Sequence, residues 1–276
     1  MIILESVQTC RAWSQKQNNI ALIPTMGALH AGHLELVKQA KNFSDNILVS
    51  IFVNPSQFGI NEDFDKYPRQ LEEDLTQLKK LNVQAVFTPS VEEMYPSGTM
   101  DTTIIQPRNI TKKFCGKTRP NLFPGAAPIV TKLINCCNAK YLILGNKDYQ
   151  QKIILTQTIN DLLIDCKVIG VNTQRNSSNL ALSSRNKYLS ITEKKLASNI
   201  YQTLKTIEEA IQTSTDFNNI CNQAKINLET LGISVEYLTI KNKTDLAAPT
   251  NKSLIILIAA KVGTTRLIDN LEVKRP

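Results

Sequence analysis

The sequence predicts an α/β fold, a doubly wound parallel sheet followed by a smaller C-terminal α+β domain. Three observations carry this. Short, nearly continuous β-branched runs alternate with helical apolar stripes over the first part of the chain, the pattern of parallel strands joined by crossover helices. After Asn172 the texture changes to a polar loop, two long helical segments and a closing group of strand-like runs. At 276 residues the chain exceeds the commonest single-domain size, which suits one domain over residues 1–172 and a second over 173–276.

In order along the chain, Ile20 to Pro24 and Ile47 to Val53 read as strands covered on both faces. The helix between them sets Leu34, Leu36, Val37 and Ala40 inward and Glu35, Lys38, Gln39 and Lys41 outward, completing a βαβ unit. Leu71, Leu75, Leu78 and Leu81 mark a helix within Arg69 to Leu81, followed by a strand at Ala85 to Thr88. Tyr141 to Leu144 is another strand, Tyr149 to Leu163 a helix, and Lys167 to Val171 the strand after it. Beyond the Asn176 to Asn179 loop, helices are expected over Thr192 to Thr213 and Phe217 to Leu231. Strands are expected at Ser234 to Ile240, Leu254 to Ala260 and Thr265 to Ile268.

Composition narrows the function classes. A hydrophobic fraction of 42% supports a core, and no stretch reaches the roughly 18 to 20 apolar residues of a membrane span. The first residues lack the basic start of a signal peptide, so a cytoplasmic protein is expected. The six cysteines show no CxxC spacing and read as reduced, mostly buried thiols. A net charge of +8 suits an anionic partner, but the basic residues are scattered, which disfavours a dedicated nucleic-acid or membrane face.

The chemistry concentrates after the first long strand. Thr25-Met26-Gly27-Ala28-Leu29-His30-Ala31-Gly32-His33 joins it to the next helix, where carboxyl ends of strands and unpaired helix N–H groups favour phosphate. Gly27 and Gly32 allow close backbone approach. His30 and His33 are the only histidines, and for them to fall three apart by chance is on the order of one in a hundred. Two imidazoles on one side of a helix start suit the developing charge of an attacked α-phosphate. Neither GxxxxGK[ST] nor GxGxxG is present.

Other strand ends carry polar groups too. Asn54, Pro55, Ser56 and Gln57 follow one strand; Gly145, Asn146, Lys147, Asp148 and Gln151 follow another. Leu182, Ser183, Ser184 and Arg185 offer two hydroxyls and a guanidinium to phosphate. Each stretch alone also reads as a turn, a cap or a surface lysine.

Taken together, PTMGALHAGH, VSIFVNPSQFG, GNKDYQQ and LALSSRNKYLS closely resemble the pantothenate synthetase (pantoate–β-alanine ligase) family of the HxGH nucleotidyltransferase group. The similarity extends to Tyr67-Pro68-Arg69, Met94-Tyr95-Pro96 and Arg266-Leu267-Ile268-Asp269. It implies a Rossmann-like domain with a C-terminal lid, a homodimer, and ATP with Mg2+. It also implies condensation of pantoate with β-alanine through pantoyl adenylate, releasing pyrophosphate and AMP. Carried over by position, Met26, Gly27, Ala28, Leu29, His30, Ala31, Gly32 and His33 bind ATP, with His33 the proton donor. Gly145, Asn146, Lys147, Asp148, Gln174, Leu182, Ser183, Ser184 and Arg185 complete the ATP site, and Lys147 stabilises charge. Gln57 and Gln151 hold pantoate, and Asn54 joins them as a substrate-side residue; metal ligands are unknown.

Neutral amides fit that task, because they orient a nucleophilic carboxylate without quenching it as a bidentate arginine would. Cys115 lacks a histidine base for covalent catalysis. The chain departs from the family pattern at Asn121 to Pro128, which reads as a proline-stiffened loop with Leu122 in place of His, and at Asn179 in place of Gly. An HxGH cofactor adenylyltransferase is the alternative enzyme reading; a basic nucleic-acid-binding protein would account for the charge but not the motifs.

Overall fold

The computed structural model describes residues 1–59, 62–107, 109–250 and 252–275. The chain divides into two compact units: Met1–Asn146 with Gln150–Asn172, and Lys147–Tyr149 with Thr173–Pro276.

The first unit is built on a parallel sheet that has six strands among the described residues: β1 (Ile2–Leu4), β2 (Ala21–Thr25), β3 (Ile47–Ile51), β4 (Ala85–Phe87), β5 (Tyr141–Gly145) and β6 (Lys167–Val171). Their order is β1-β4-β3-β2-β5-β6, with every pairing parallel. Between the strands run helices α1 (Val7–Ser14), α2 (Ala31–Ala40), α3 (Leu71–Lys80), α4 (Val91–Met94), α5 (Cys115–Thr118), α6 (Leu122–Cys137) and α7 (Tyr149–Asp161).

The apolar runs are strands because alternate residues serve two separate cores. Leu22, Leu48, Phe87 and Leu142 join α1 and α6 on one face through Cys10, Trp13, Ile129, Val130 and Leu133. Ile23, Val49, Val86 and Ile143 join α2 and α3 on the other through Leu36, Val37, Ala40 and Leu78. Both faces are therefore apolar, and period-two alternation of polarity disappears from the sequence.

One expectation is corrected. Asn121 to Pro128 is not a stiffened loop: Leu122 begins the 16-residue helix α6. Pro124 falls in the first helical turn, where its missing N–H has no helical partner to lose. Pro128 lies inside and forgoes one backbone bond. The helix persists because Phe123, Ala126, Ala127, Val130 and Leu133 are buried along it. Burial of such side chains contributes roughly 1.5–3 kcal/mol for each large one, enough to offset one lost bond of about 1 kcal/mol and local strain.

In the second unit α8 (Ile191–Ala210) and α9 (Phe217–Thr230) pack on an antiparallel sheet of β7 (Ser234–Asn242), β8 (Ser253–Val262) and β9 (Thr265–Lys274), in that order. Ile200, Leu204 and Ile207 of α8 meet Ile256, Ile258 and Leu267 in one core. Asn179 adopts φ 63°, and asparagine is the residue that tolerates this left-handed conformation best after glycine. The five cysteines at 10, 115, 136, 137 and 221 are buried and Cys166 is half-buried. Among the described residues no helix is long and apolar enough to cross a membrane.

Candidate active site

The chain leaves β2 for β3 and β4 on one side of the sheet, then returns to place β5 against the other side of β2. The carboxyl ends of β2 and β5 thus mark a topological switch point, where ligands bind in open α/β sheets. The β2–α2 turn with both histidines is at this point, with the β3 and β5 strand ends on either side.

The turn itself is stitched from within. Thr25 Oγ1 donates to the Ser50 carbonyl at 2.8 Å and accepts from Gly27 N at 3.2 Å. Gly27 lies at φ 79° and Ala28 at φ 50°. For alanine that left-handed conformation costs on the order of 1–2 kcal/mol. The force that holds it comes from Asp74 on α3, whose Oδ2 accepts from Ala28 N at 2.8 Å while Oδ1 accepts from Leu29 N at 2.8 Å. Hydrogen bonds to a charged group contribute about 1.5–3 kcal/mol apiece, so two outweigh the strain. Asp74 is 0% exposed.

Sequence reasoning missed Asp74, yet a signal was present. It stands three residues after Leu71 and four before Leu78, on the apolar stripe of α3 itself, where an unpaired carboxylate is not tolerated.

The two histidines cap α2 reciprocally. Gly32 N donates to His30 Nδ1 at 3.1 Å, and His30 N donates to His33 Nδ1 at 3.3 Å. His30 has the extended N-cap backbone, φ −135° and ψ 173°, and the ring centroids are 4.0 Å apart. A ring nitrogen that accepts an N–H carries no proton, so each neutral imidazole has its proton on Nε2. Both are pre-set as Nε2 donors.

Most of the backbone amides expected to meet phosphate already have protein partners. The N–H groups of Gly27, Ala28, Leu29, His30 and Gly32 are all engaged, those of Ala28 and Leu29 by Asp74 and the other three within residues 25–33. Each imidazole beside them accepts one of these N–H groups through Nδ1.

After β3, Asn54 caps a 3₁₀ turn at Pro55–Gln57. Its Oδ1 accepts from Tyr95 Oη at 2.8 Å and Ser56 N at 3.3 Å, and its Nδ2 donates to the Gly125 carbonyl at 3.1 Å. Both amide atoms of this 1% exposed side chain are occupied by protein groups. Burial pushes the Tyr95 phenol above its ordinary range, which keeps it a proton donor. Gln57 is buried at the end of the turn, and its backbone carbonyl accepts from Arg119 Nη2 at 3.4 Å. Arg119 also grips Glu62 with Nε at 2.7 Å and with Nη2.

Helix α6 reaches this turn only because residue 125 has no side chain. A Cβ there would lie 2.3 Å from the Ser56 carbonyl oxygen and 2.8 Å from Gln57 N. Gly125→Ala would gain about 0.5–1 kcal/mol of helix propensity and lose about 1–3 kcal/mol to overpacking against backbone. A net loss of stability is therefore expected in equilibrium urea unfolding. Stability equal to the parent would show that the helix and turn separate without cost.

After β5, Asn146 Oδ1 accepts from Lys152 Nζ at 2.7 Å and its Nδ2 donates to Asn172 Oδ1 at 3.4 Å. The adjacent glutamines differ. Gln150 is buried and clamps the 110–115 segment, donating to the carbonyls of Ile110 and Lys113 at 2.8 Å each and accepting from Cys115 N at 3.1 Å. Gln151 is half-buried.

The second unit holds the remaining predicted residues. The Lys147 ammonium pairs with Asp148 at 3.3 Å, and the Lys147 carbonyl accepts from Asn270 Nδ2 at 2.8 Å. Next to Asn270, Asp269 receives a two-pronged guanidinium from Arg175 at 2.6 and 2.8 Å, and Arg175 lies 3.8 Å over the Tyr201 ring. Leu182 N donates to the Gln174 carbonyl at 2.9 Å. Ser183 caps the short 3₁₀ helix Ser184–Tyr188 by accepting from Arg185 N at 3.3 Å. Asp74, Tyr95, Arg119, Gln150, Arg175 and Asn270 are the supporting residues that local spacing did not single out.

Comparison with known proteins gives a consistent result. The family model described as pantoate-beta-alanine ligase matches residues 2–272. The chain is 46% identical over 275 residues to the pantothenate synthetase of Idiomarina loihiensis, covering 99% of this chain and 98% of that protein. It is similar to the crystal structure of the pantothenate synthetase of Thermus thermophilus, with a TM-score of 0.93, 35% identity and complete coverage of both chains. The pantoate-beta-alanine ligase of Francisella tularensis, crystallised with beta-gamma ATP and beta-alanine, aligns with a TM-score of 0.81 and 35% identity over 98% of this chain and 97% of that one.

Proposed function

The chain belongs to the pantoate–β-alanine ligase family, and on that premise we propose that its His30–His33 turn activates the α-phosphate of ATP toward the carboxylate of pantoate. The overall activity is the joining of pantoate to β-alanine to form pantothenate. The observation that carries the mechanistic reading is the pair of Nδ1 atoms that accept backbone N–H groups, which leaves both imidazoles as Nε2 donors.

In the first step a pantoate carboxylate oxygen bonds to the α-phosphorus, and the bond to the bridging oxygen breaks, so pyrophosphate leaves with the electron pair. Negative charge grows on the non-bridging oxygens in the transition state, and preorganised donors stabilise it there more than in the ground state. His33 holds the donated proton, with His30 beside it. In the second step the β-alanine amine attacks the acyl carbon, AMP leaves, and the amine gives up a proton.

Residues 26–33, Gly145, Asn146, Lys147, Asp148, Gln174, Leu182, Ser183, Ser184 and Arg185 are the proposed nucleotide set, with the Lys147 ammonium stabilising phosphate charge. Gln57 and Gln151 are proposed to orient pantoate. Asn54 acts through the turn that carries Gln57, because its own amide is engaged by Tyr95, Ser56 and Gly125. The ligands in the Francisella complex support ATP and β-alanine as substrates here.

Among the described residues no group of three His, Cys, Asp or Glu side chains gathers to hold a metal. In this reading Mg2+ comes as part of the substrate, carried on the phosphate oxygens of ATP, the usual mode for that ion. A homodimer in the cytoplasm completes the proposal.

The expected result is pyrophosphate release from ATP with pantoate alone, followed by AMP and amide on adding β-alanine. Pantoate labelled with 18O in its carboxylate should pass one labelled oxygen to AMP. Unlabelled AMP would rule out the acyl adenylate.

A further inference from the structure

We propose that Asp74 is a positioning residue for the nucleotide step, fixing the two backbone N–H groups that set the attitude of His30 and His33. The inference rests on the assignment of those histidines to adenylation and adds a residue some 40 positions away in sequence. Asp74 is fully buried on α3, and both carboxylate oxygens are used: Oδ2 on Ala28 N and Oδ1 on Leu29 N, each at 2.8 Å, with Gln70 Nε2 at 3.4 Å from Oδ1.

The chemistry explains why an aspartate is needed. Two consecutive amide donors point at one side chain, and an ionised carboxylate offers acceptors on both oxygens. Asparagine has the same shape but sets an NH2 group against one of the two N–H donors. That substitution replaces a bond with a donor–donor contact, at the residue pair where Ala28 is held at φ 50°. Ala28 and Leu29 lead directly into His30, whose extended backbone allows Nδ1 to meet Gly32 N. Release of either amide therefore loosens the reciprocal cap and the tautomers that it selects.

Asp74 has a second effect. While it holds the N–H groups of Ala28 and Leu29, these are withheld from an incoming phosphate, and the anion is directed to the imidazoles. A carboxylate is thus tolerated close to a polyanion because its charge is spent on the turn rather than facing the ligand.

The test compares Asp74→Asn and Asp74→Glu with the parent and with Glu73→Gln, an exposed neighbour on α3. Single-turnover pyrophosphate release from ATP and pantoate, normalised to the active fraction, reads the first step. Conversion of separately prepared pantoyl adenylate with β-alanine reads the second. 15N NMR of labelled histidines reads the tautomers.

Asp74→Asn is expected to slow the first step by about 30-fold or more, a size reasonable for misaligning donors worth on the order of 100-fold each. It should leave the second step within about twofold and introduce the Nδ1–H tautomer. Asp74→Glu, which keeps both acceptors, should recover part of the loss; it also serves as the test if the asparagine protein does not fold. Parent-like adenylation in a folded Asp74→Asn protein, or equal losses in both steps with unchanged tautomers, would overturn the proposal. If the parent released no pyrophosphate with pantoate alone, the adenylation reading would fail instead, and the histidine spectra would still decide whether Asp74 sets their tautomers.

Discussion

Substituting His33 with alanine is expected to slow adenylation by about 10²- to 10³-fold, the usual effect of removing one preorganised donor from a developing oxyanion. The interpretation is complicated by the reciprocal cap, since loss of the His33 ring also strips the acceptor from His30 N. His30 poses the converse problem, because Gly32 N depends on it. The substitution that separates the roles is His30→Asn. Asparagine is among the best N-caps and restores an acceptor for the helix start, whereas loss of a cap costs about 0.5–2 kcal/mol. It has no imidazole Nε2 donor. His30→Asn should therefore melt close to the parent while its single-turnover pyrophosphate release falls by about 100-fold. The double substitution should lose less than the product of the singles, as residues acting as a unit do. Parent-like release by His30→Asn would mean that His30 serves α2 and not the phosphate.

Replacing Arg175 with methionine is expected to be the most destabilising change in the second unit. Asp269 is 5% exposed and receives both prongs of the Arg175 guanidinium. Burial pushes its carboxyl above the usual carboxylate range, while the Arg175 bonds and charge pull it back. Removing one partner of a buried pair leaves the other charge uncompensated and costs about 3–5 kcal/mol. For a chain of this size that is a fall in Tm on the order of 10 °C.

The pH dependence follows from the direction of the shift. A carboxyl whose folded-state pKa lies above its unfolded value costs stability wherever it is ionised in both states. That cost diminishes as pH falls through the folded-state pKa and is gone below the unfolded one. Without Arg175 the folded-state pKa rises further, so the defect of Arg175→Met should be largest near neutral pH and shrink on acidification. Adding Asp269→Asn should recover part of it. A Tm within a few degrees of the parent, or a defect that grows in acid, would contradict this account. The same network reaches Lys147, proposed above to stabilise phosphate charge, because Asn270, beside Asp269, holds the Lys147 carbonyl.

Much of the fold was legible from local pattern. The strand runs around Leu22, Leu48 and Ile143 announce themselves because a parallel sheet between two helical layers needs apolar residues on both faces. The short edge strand Ile2–Leu4 and the helix α6 did not. Three residues carry little periodic signal, and the prolines of α6 argue locally against a helix that packing sustains.

For the site, spacing alone pointed to His30 and His33, because the chemistry of a phosphate turn is written in adjacent residues after a strand. Local bonds at the start of α2 engage the Nδ1 atom of each ring, and tertiary structure adds Asp74 behind the turn. The sequence suggested open backbone amides, and the fold engages five of them. Asp74 acts on Ala28 and Leu29 only because α3 docks against the sheet, and Gly125 matters only because α6 crosses the Gln57 turn. Residue identity determined which groups are candidates for the chemistry. Which of the turn's amides are committed to the protein is set in part by near neighbours, Thr25, His30 and His33, and in part by Asp74, which only the packing of α3 brings to Ala28 and Leu29.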